Sequence, residues 1–172
     1  MSELTPKIIA YLAMEEGMCR EAYKDSGGVW TWALGVTNKS GHQVYPRYKD
    51  KPQDLQKCFD ISVWLIKEKY WPEVIKYGLP LNEAQLAAAL SFQWNSGRYW
   101  QFRDNFADSV VIRNKGLLDE RRQREQDLYY NGKWPKSLKC AIRDVSHKTY
   151  SPIWNKAQLI DPIPYIETAL KN

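Results

Sequence analysis

The hydrophobic periodicity of this chain changes twice, from helical to strand-like near residue 18 and back to helical near residue 52. A first helix is predicted over residues 5–16, because Thr5 can cap it, Pro6 suits its first turn and Gly17 can end it. A short β segment followed by many helices is typical of an α+β arrangement with the sheet segregated to one end. We therefore predict a mainly helical α+β fold with a small N-terminal β lobe.

The β lobe is predicted over about residues 18–50. The sequences Asp-Ser-Gly-Gly at 25–28 and Asn-Lys-Ser-Gly at 38–41 are turn signals. Between them, residues 29–34 read Val-Trp-Thr-Trp-Ala-Leu, which is rich in β-forming types. This order indicates a small sheet built on a hairpin.

Helical periodicity dominates the chain after the β lobe. Apolar residues recur at intervals of three and four from Pro52 onward, which predicts a long helix with Trp64 and Trp71 in the core. Residues 133–172 contain four prolines, and we expect short helices and turns there, packed on the outside. The predicted helices span residues 52–77, 83–94, 102–115 and 117–130.

The length and composition suit one folded domain, residues 1–172. The chain has 172 residues, of which 44% are hydrophobic, and this is enough for a core at this size. Within the domain we expect the β lobe to join a helical lobe formed by about residues 52–172 and the helix at 5–16.

The charge balance favours polyanionic partners in general. There are 25 Lys and Arg residues against 20 Asp and Glu, a formal net charge of +5. The densest basic cluster is Arg121, Arg122 and Arg124, and acidic residues interrupt it. We interpret this cluster as a solvated helix face with Arg121 as the one inward candidate, and no motif indicates a nucleic-acid partner.

Metal and cofactor sites are not indicated. Cys19, Cys58 and Cys140 are too far apart for a zinc knuckle or a redox pair, and we expect reduced residues in or near the core. The two histidines, His42 and His147, are too few for a His-rich metal site, and His42 is expected to be solvated in a turn. The sequence therefore predicts no metal ion and no cofactor.

Membrane insertion and standard secretion are not indicated either. No stretch approaches the ~20 consecutive apolar residues that a membrane span needs. The N-terminal residues lack a basic region followed by an apolar run, so we expect no secretory signal.

Two carboxyl groups and one hydroxyl are predicted to meet at the rim of a cleft. Glu16 falls at the edge of the buried face of the first helix, Asp25 lies in a turn, and Thr31 is on the strand that follows. Glu15 points away and is expected to be solvated. Apolar neighbours disfavour the ionised form of a carboxyl, whereas a polar turn does not, so Glu16 and Asp25 can divide the work of acid and base. Glycosidic bond cleavage needs such a pair, although this spacing alone is also compatible with solvated or capping carboxylates.

Three blocks of sequence resemble one known family. Glu-Gly at 16–17, Tyr-Lys-Asp at 23–25 and the Thr-Trp-Ala-Leu-Gly segment at 31–35 closely resemble the N-terminal signature of phage-type lysozymes, the endolysins in family 24 of the glycoside hydrolases. Ala-Leu-Ser-Phe-Gln-Trp-Asn-Ser-Gly at 89–97 is similar to a helix end in that family. A third block, Gly-Leu-Leu at 116–118 with Arg-Arg-Gln-Arg-Glu after it, matches with one extra residue.

The resemblance implies a fold and an activity. The fold would be a lysozyme-like one, in which a long helix joins the β lobe to a larger helical lobe beside a saccharide groove. The activity would be hydrolysis of bacterial peptidoglycan at the β-1,4 bond between N-acetylmuramic acid and N-acetylglucosamine. In this reading Glu16 is the general acid, Asp25 supports attack by water and Thr31 positions that water.

The resemblance also implies substrate contacts, and the sequence differs from the family signature at some positions. Arg121 matches an arginine that contacts the acid, and such a cation favours ionised Glu16 and partly opposes the effect of the apolar neighbours of this carboxyl. Other residues expected at the groove are Thr37, Trp94 and Asn105. The family's Gly-x-Gly-His reads Ala-Leu-Gly-Val at 33–36 here, so one glycine and a histidine of structural importance are replaced.

The implied setting is host lysis by a phage. The protein would be a monomer made in the host cytoplasm that reaches the wall with a holin or a virion. The alternatives are a non-catalytic wall-binding or virion structural protein that keeps the fold, a chitosan hydrolase and a nucleic-acid binder. Chitosan is cationic and would be repelled by a chain of charge +5.

Overall fold

The computed structural model describes residues 2–96 and 119–172. The helix predicted at 102–115 and the proposed sugar contact Asn105 lie outside the described residues.

The N-terminal helix α1, Pro6–Glu16, is the centre of the core. Its cap is the predicted one, since Thr5 Oγ1 accepts a hydrogen bond from the Ile8 amide at 3.3 Å, and Gly17 ends the helix at a φ of 69°. Every residue from Ile8 to Ala13 is fully buried, so α1 is covered on all sides rather than on one face. Helix α4, Glu83–Ser96, packs against it and is itself buried along most of its length.

The β lobe is a three-stranded antiparallel sheet in the order β1-β2-β3. Its strands and the short 3₁₀ helix after them are β1 Cys19–Lys24, β2 Trp30–Ala33, β3 Val36–Thr37 and Asn38–Ser40. Trp32 is fully buried and stacks on Tyr48 with 4.2 Å between ring centroids, while His42 stacks on the same two rings and its Nε2 lies 2.8 Å from the Tyr48 hydroxyl. The hairpin lobe is as predicted, but the expectation of a solvated His42 is wrong because the turn folds back over Trp32.

The long helix is present in three consecutive pieces. They are α2 Leu55–Leu65, a π-helical turn Ile66–Tyr70 and α3 Trp71–Ile75. Trp71 is buried as expected, whereas Trp64 is 49% exposed. The prediction for Trp64 is wrong because the helix packs through the positions around Phe59 and Val63, and residue 64 falls on its outer side.

Helix α5, Asp119–Asn131, lies against α4. It corresponds to the helix predicted at 117–130, of which residues 117 and 118 lie outside the described part of the chain.

The prediction of short helices and turns in the C-terminal region, residues 133–172, is wrong. It forms an antiparallel hairpin, β4 Cys140–Val145 and β5 Pro152–Ile160, followed by helix α6 Ile163–Lys171. The prolines are compatible with this structure, because Pro152 begins β5 and Pro162 and Pro164 stand at the start of α6. Helix α6 packs on α1 and α2 and buries Ile166, so it belongs to the core.

The hairpin is attached to the β lobe along β1. At one end the Met18 amide donates to the Ala141 carbonyl at 2.8 Å and the Arg143 amide donates to the Met18 carbonyl at 3.0 Å. At the other end the Lys24 amide donates to the Tyr150 carbonyl at 2.6 Å. The hairpin therefore adds a second small sheet beside the first, which the sequence did not predict.

A histidine in the hairpin turn pairs with the β lobe. His147 Nε2 lies 2.6 Å from Glu21 Oε1 and 3.8 Å from Asp50 Oδ1. The hydrogen bond to Glu21 and the attraction of both carboxylates raise the pKa of His147 above its ordinary value, and the nearby Lys49 opposes this only weakly.

This pairing predicts a pH-dependent contribution to stability. A raised pKa in the folded state means that the contribution is fully present below the unfolded-state pKa of His147 and is lost as the pH rises through the folded-state value. The thermal midpoint of His147→Gln should therefore fall below that of wild type at about pH 5.5 and match it at about pH 8.5. The double variant Glu21→Gln/His147→Gln is the control. A difference in thermal midpoint between His147→Gln and wild type that does not change with pH would contradict the pairing.

None of the helices in residues 2–96 and 119–172 is long and apolar enough to cross a membrane.

Candidate active site

The carboxyl of Glu16 stands at the C-terminal end of α1 and is held by an arginine. Its side chain is 15% exposed, and Arg121 Nη1 donates to its Oε2 at 2.6 Å. Arg121 comes from α5, so the contact joins positions 105 residues apart. The inward orientation predicted for Arg121 is confirmed.

Arg121 is fixed by α4 and by its own helix. Its Nη2 donates to the carbonyl and to the hydroxyl oxygen of Ser91, both at 3.1 Å, and its Nε lies 3.4 Å from Glu125 Oε2. Burial opposes the charge of Arg121, but attraction to Glu16 and Glu125 outweighs it, and the pKa of Arg121 is raised. The guanidinium therefore stays charged and holds the carboxyl of Glu16 in one place.

The rest of the basic cluster is not a solvated face, which corrects the sequence interpretation. Arg122 is 3% exposed and lies 3.2 Å from Glu125, which is fully buried and also accepts a hydrogen bond from Ser91.

Arg124 pairs with Glu15 at 2.7 Å, and the Tyr11 hydroxyl donates to the same carboxyl. The expectation of a solvated Glu15 is therefore also wrong, because α5 lies close enough to α1 to cover it.

Asp25 is presented by a tight turn between β1 and β2. Its Oδ1 accepts hydrogen bonds from the amides of Gly27 at 2.8 Å and Val29 at 2.9 Å, and its carbonyl accepts from Gly28 at 3.0 Å. The turn amides therefore orient an exposed carboxylate, while Gly28 supplies the φ of 79° that the turn requires.

The two threonines of the site lie opposite each other in the sheet. Thr31 in β2 pairs with Thr37 in β3 and with Tyr23 in β1. Thr31 is buried, and its hydroxyl donates to the Val29 carbonyl at 2.9 Å. Thr37 is half-buried and caps the 3₁₀ helix by accepting from the Ser40 amide, a structural role that the sequence reasoning missed.

Trp94 connects the β lobe to its own helix, α4. Its indole Nε1 donates to the Leu34 carbonyl at 2.9 Å, and its ring lies against Tyr70 with 4.7 Å between centroids. Trp94 is only 7% exposed, so it supports the β2–β3 turn from beneath. Gly35 sits between this indole and the acid, because a Cβ there would be 3.0 Å from Trp94 Nε1 and 3.2 Å from Glu16 Oε1.

Gly35→Ala is expected to damage both stability and activity. The residue has a φ of 116°, where an L side chain is strained, and its new methyl would displace Trp94 or Glu16. We expect a loss of about 1–3 kcal/mol in the free energy of unfolding together with a fall in kcat. Gly132→Ala is the matched control, because it also has a positive φ (61°) but nothing within 4 Å of the added Cβ. Equal effects of the two substitutions on kcat would contradict the close packing at Glu16.

The cysteines have the structural character expected of them. Cys19, Cys58 and Cys140 are free and buried, and burial raises the pKa of each thiol to about 12. In the described ranges, 2–96 and 119–172, no cluster of three or more His, Cys, Asp or Glu residues is placed to hold a metal ion.

The predicted residues thus fall into two groups. Glu16, Arg121 and Trp94 form one contact network, which also includes Gly35. The β lobe carries Asp25, Thr31 and Thr37, the first in its turn and the others on paired strands. Gly35 was visible in the sequence as part of the family signature, but its contact with the acid was not.

Comparison with known proteins places the chain in a family. The sequence model of the phage lysozyme family matches residues 13–137. Among solved structures, the chain is similar to the endolysin from Escherichia coli O157:H7 phage FAHEc1, with 21% identity, a TM-score of 0.60 and coverage of 78% of this chain and 98% of that one. None of the curated proteins matches. The structural likeness shows a lysozyme-like α+β fold, and since the family match spans most of the sequence, this chain belongs to the phage lysozyme family.

Proposed function

We propose that this protein is an N-acetylmuramidase that cleaves the β-1,4 bond between N-acetylmuramic acid and N-acetylglucosamine. Membership of the phage lysozyme family supports a peptidoglycan hydrolase role and glycoside hydrolase activity. The observation that carries the finer proposal is the mostly buried Glu16 carboxyl, held by Arg121 at 2.6 Å, in a chain that also presents an exposed Asp25 carboxylate from its first β turn.

The proposed chemistry divides the work between these two carboxyls. Glu16 donates a proton to the leaving glycosidic oxygen while the sugar approaches an oxocarbenium-like state. The Asp25 carboxylate stabilises that positive charge and supports the attack of water, which Thr31 helps to position. Arg121 acts through Glu16, because its guanidinium fixes the position of that carboxyl.

Three further residues, Thr37, Trp94 and Asn105, are proposed to line the saccharide groove, as the family resemblance implies. Thr37, opposite Thr31 in the sheet, is half-buried and lies on the edge strand β3. Trp94 supports the turn at Gly35. Asn105 is proposed as a polar sugar contact on the strength of the resemblance alone.

The proposed biological role is that of a phage endolysin acting on the host wall. The enzyme would work as a monomer and reach its substrate through a holin or with the virion. The wall-binding alternative requires no carboxyl pair, so the presence of Glu16 with its arginine favours an enzyme.

The identity of the cleaved bond can be tested directly. Purified peptidoglycan digested by the wild type is reduced with borohydride and hydrolysed, and the new sugar alcohols are separated. A muramidase produces muramicitol, the alcohol of muramic acid, as its new end. Glucosaminitol in its place would show a glucosaminidase, and the proposed bond would then be wrong.

A further inference from the structure

The C-terminal hairpin lies beyond the residues that the family model matches, yet it borders the site. The family match ends at residue 137, and β4–β5 begins at Cys140. The hairpin bonds to Met18, which directly precedes β1 and is two residues after Glu16, and to Lys24, the last residue of β1 and the residue before Asp25. It therefore runs from the neighbourhood of one carboxyl to the neighbourhood of the other.

Two hairpin side chains share a surface depression with the acid. Arg143 of β4 and Trp154 of β5 line it together with Glu16, Gly17 and Tyr23. The approach is close, because a Cβ on Gly17 would be 3.2 Å from Arg143 Nη1. The depression holds only about 20 Å³, too little for a sugar ring to enter, so a ligand there would lie across its rim.

The side chain of Trp154 is unusually exposed to solvent for a tryptophan. It is 68% exposed, more than any other large hydrophobic residue of the described chain. The Arg143 guanidinium lies over its ring, 5.2 Å from the centroid. An indole held in this way by a cation is a platform on which the C–H face of a sugar ring can stack.

Arg143 has hydrogen-bonding capacity that the described residues leave unused. Its Nε is buried, and no acceptor in residues 2–96 or 119–172 reaches it. The same ranges give the guanidinium no carboxylate within salt-bridge distance. A charged donor group beside a saccharide site matches a carboxylate on the saccharide. Among wall sugars, muramic acid and its peptide carry such groups.

We propose that Arg143 and Trp154 form a saccharide-binding subsite for the peptidoglycan glycan strand, with Trp154 stacking on a sugar and Arg143 binding a carboxylate of the muramyl unit. This inference rests on the proposed function for its substrate. It makes the hairpin a source of affinity and specificity beside the catalytic pair.

The stacking role is tested by binding and by kinetics. In the Glu16→Gln background, which keeps the ligand uncleaved, Trp154→Ala should weaken binding to soluble glycan fragments by about five- to tenfold. In the active chain the same change should raise KM by a similar factor and leave kcat within about twofold. Leu159→Ala is the matched control, because Leu159 is on the same strand and is 62% exposed.

The carboxylate role is tested by comparing two ligands. Arg143→Gln should weaken binding of fragments that contain muramic acid more than binding of chito-oligosaccharides, which lack carboxylates and depend only on the stacking surface. Arg143→Lys keeps the charge and should recover part of the loss. Thermal midpoints of all variants identify any that are unfolded at the assay temperature.

The outcomes separate this inference from the proposed function. Unchanged affinity in Trp154→Ala, or an effect no larger than that of Leu159→Ala, would overturn the stacking role even if the wild type is active. Equal losses on both ligands in Arg143→Gln would overturn the carboxylate role. If the wild type releases no reducing ends but Trp154→Ala still weakens binding, the subsite stands and the hydrolase proposal fails.

Discussion

Glu16→Gln is expected to lower kcat on peptidoglycan by about 10²- to 10⁴-fold, the range that general acid catalysis typically contributes. Glutamine has nearly the same shape and can still accept the hydrogen bond from Arg121, so the fold should be kept. It cannot deliver a proton to the leaving oxygen. The rate is measured as the loss of turbidity of permeabilised Gram-negative cells and as reducing-end release.

The adjacent carboxyl provides the control for this substitution. Glu15→Gln makes the same chemical change one residue earlier, in a side chain that pairs with Arg124 and Tyr11. We expect it to lower the thermal midpoint and to keep activity at temperatures below that midpoint. A Glu16→Gln rate above about a tenth of wild type would contradict the assignment of Glu16 as the acid.

Glu125→Ala is expected to lower the free energy of unfolding by about 3–5 kcal/mol, because it removes the carboxylate shared by two buried arginines. Glu125 is fully buried, and it lies 3.4 Å from Arg121 and 3.2 Å from Arg122. Burial raises the pKa of Glu125, and the two arginines oppose that shift. Without Glu125, Arg122 would be left buried beside Phe92, with the Asn95 side chain as a neutral acceptor.

Urea denaturation measures this loss, with Glu120→Ala as its control. Glu120 lies on the same helix and is exposed, so its replacement should change stability by no more than about 0.5 kcal/mol. A loss below about 1 kcal/mol in Glu125→Ala would mean that the buried network contributes little to the fold. The kcat of Glu125→Ala should fall as well, because Arg121 would lose a group that fixes it against Glu16.

The parts of the fold that local chemistry decides could be predicted from the sequence. Thr5 and Gly17 bound the first helix as their cap preferences require. The turn at Asp25 follows from its own side chain and two glycines. The contact between Arg121 and Glu16 came from the family resemblance, since nothing in the spacing joins positions 105 residues apart.

The parts that depend on distant pairing could not be predicted. Strand β5 exposes most of its residues, and its apolar residues do not alternate clearly with polar ones. Its strand structure therefore depends on pairing with β4, which in turn is attached to Met18. Glu15 and Arg122 look like surface residues locally, and only the approach of α5 to α1 and α4 buries them.

One departure from the family pattern has a structural explanation. Ala33 stands where relatives have a glycine, and it still adopts a φ of 58°, in the left-handed region that favours glycine. The turn that brings Gly35 to Glu16 is therefore kept at some cost in backbone strain. Val36, in place of the histidine, is fully buried and pairs with Trp32 in the sheet.

The central claim is that this chain cleaves the wall glycan and does not merely bind it. The most direct measurement is reducing-end release from purified peptidoglycan by the wild type, made on the same sample as a co-sedimentation assay. We predict that the protein sediments with the wall and that reducing ends accumulate with time. Sedimentation with no release of reducing ends would contradict the account and identify a wall-binding protein that keeps the lysozyme-like fold.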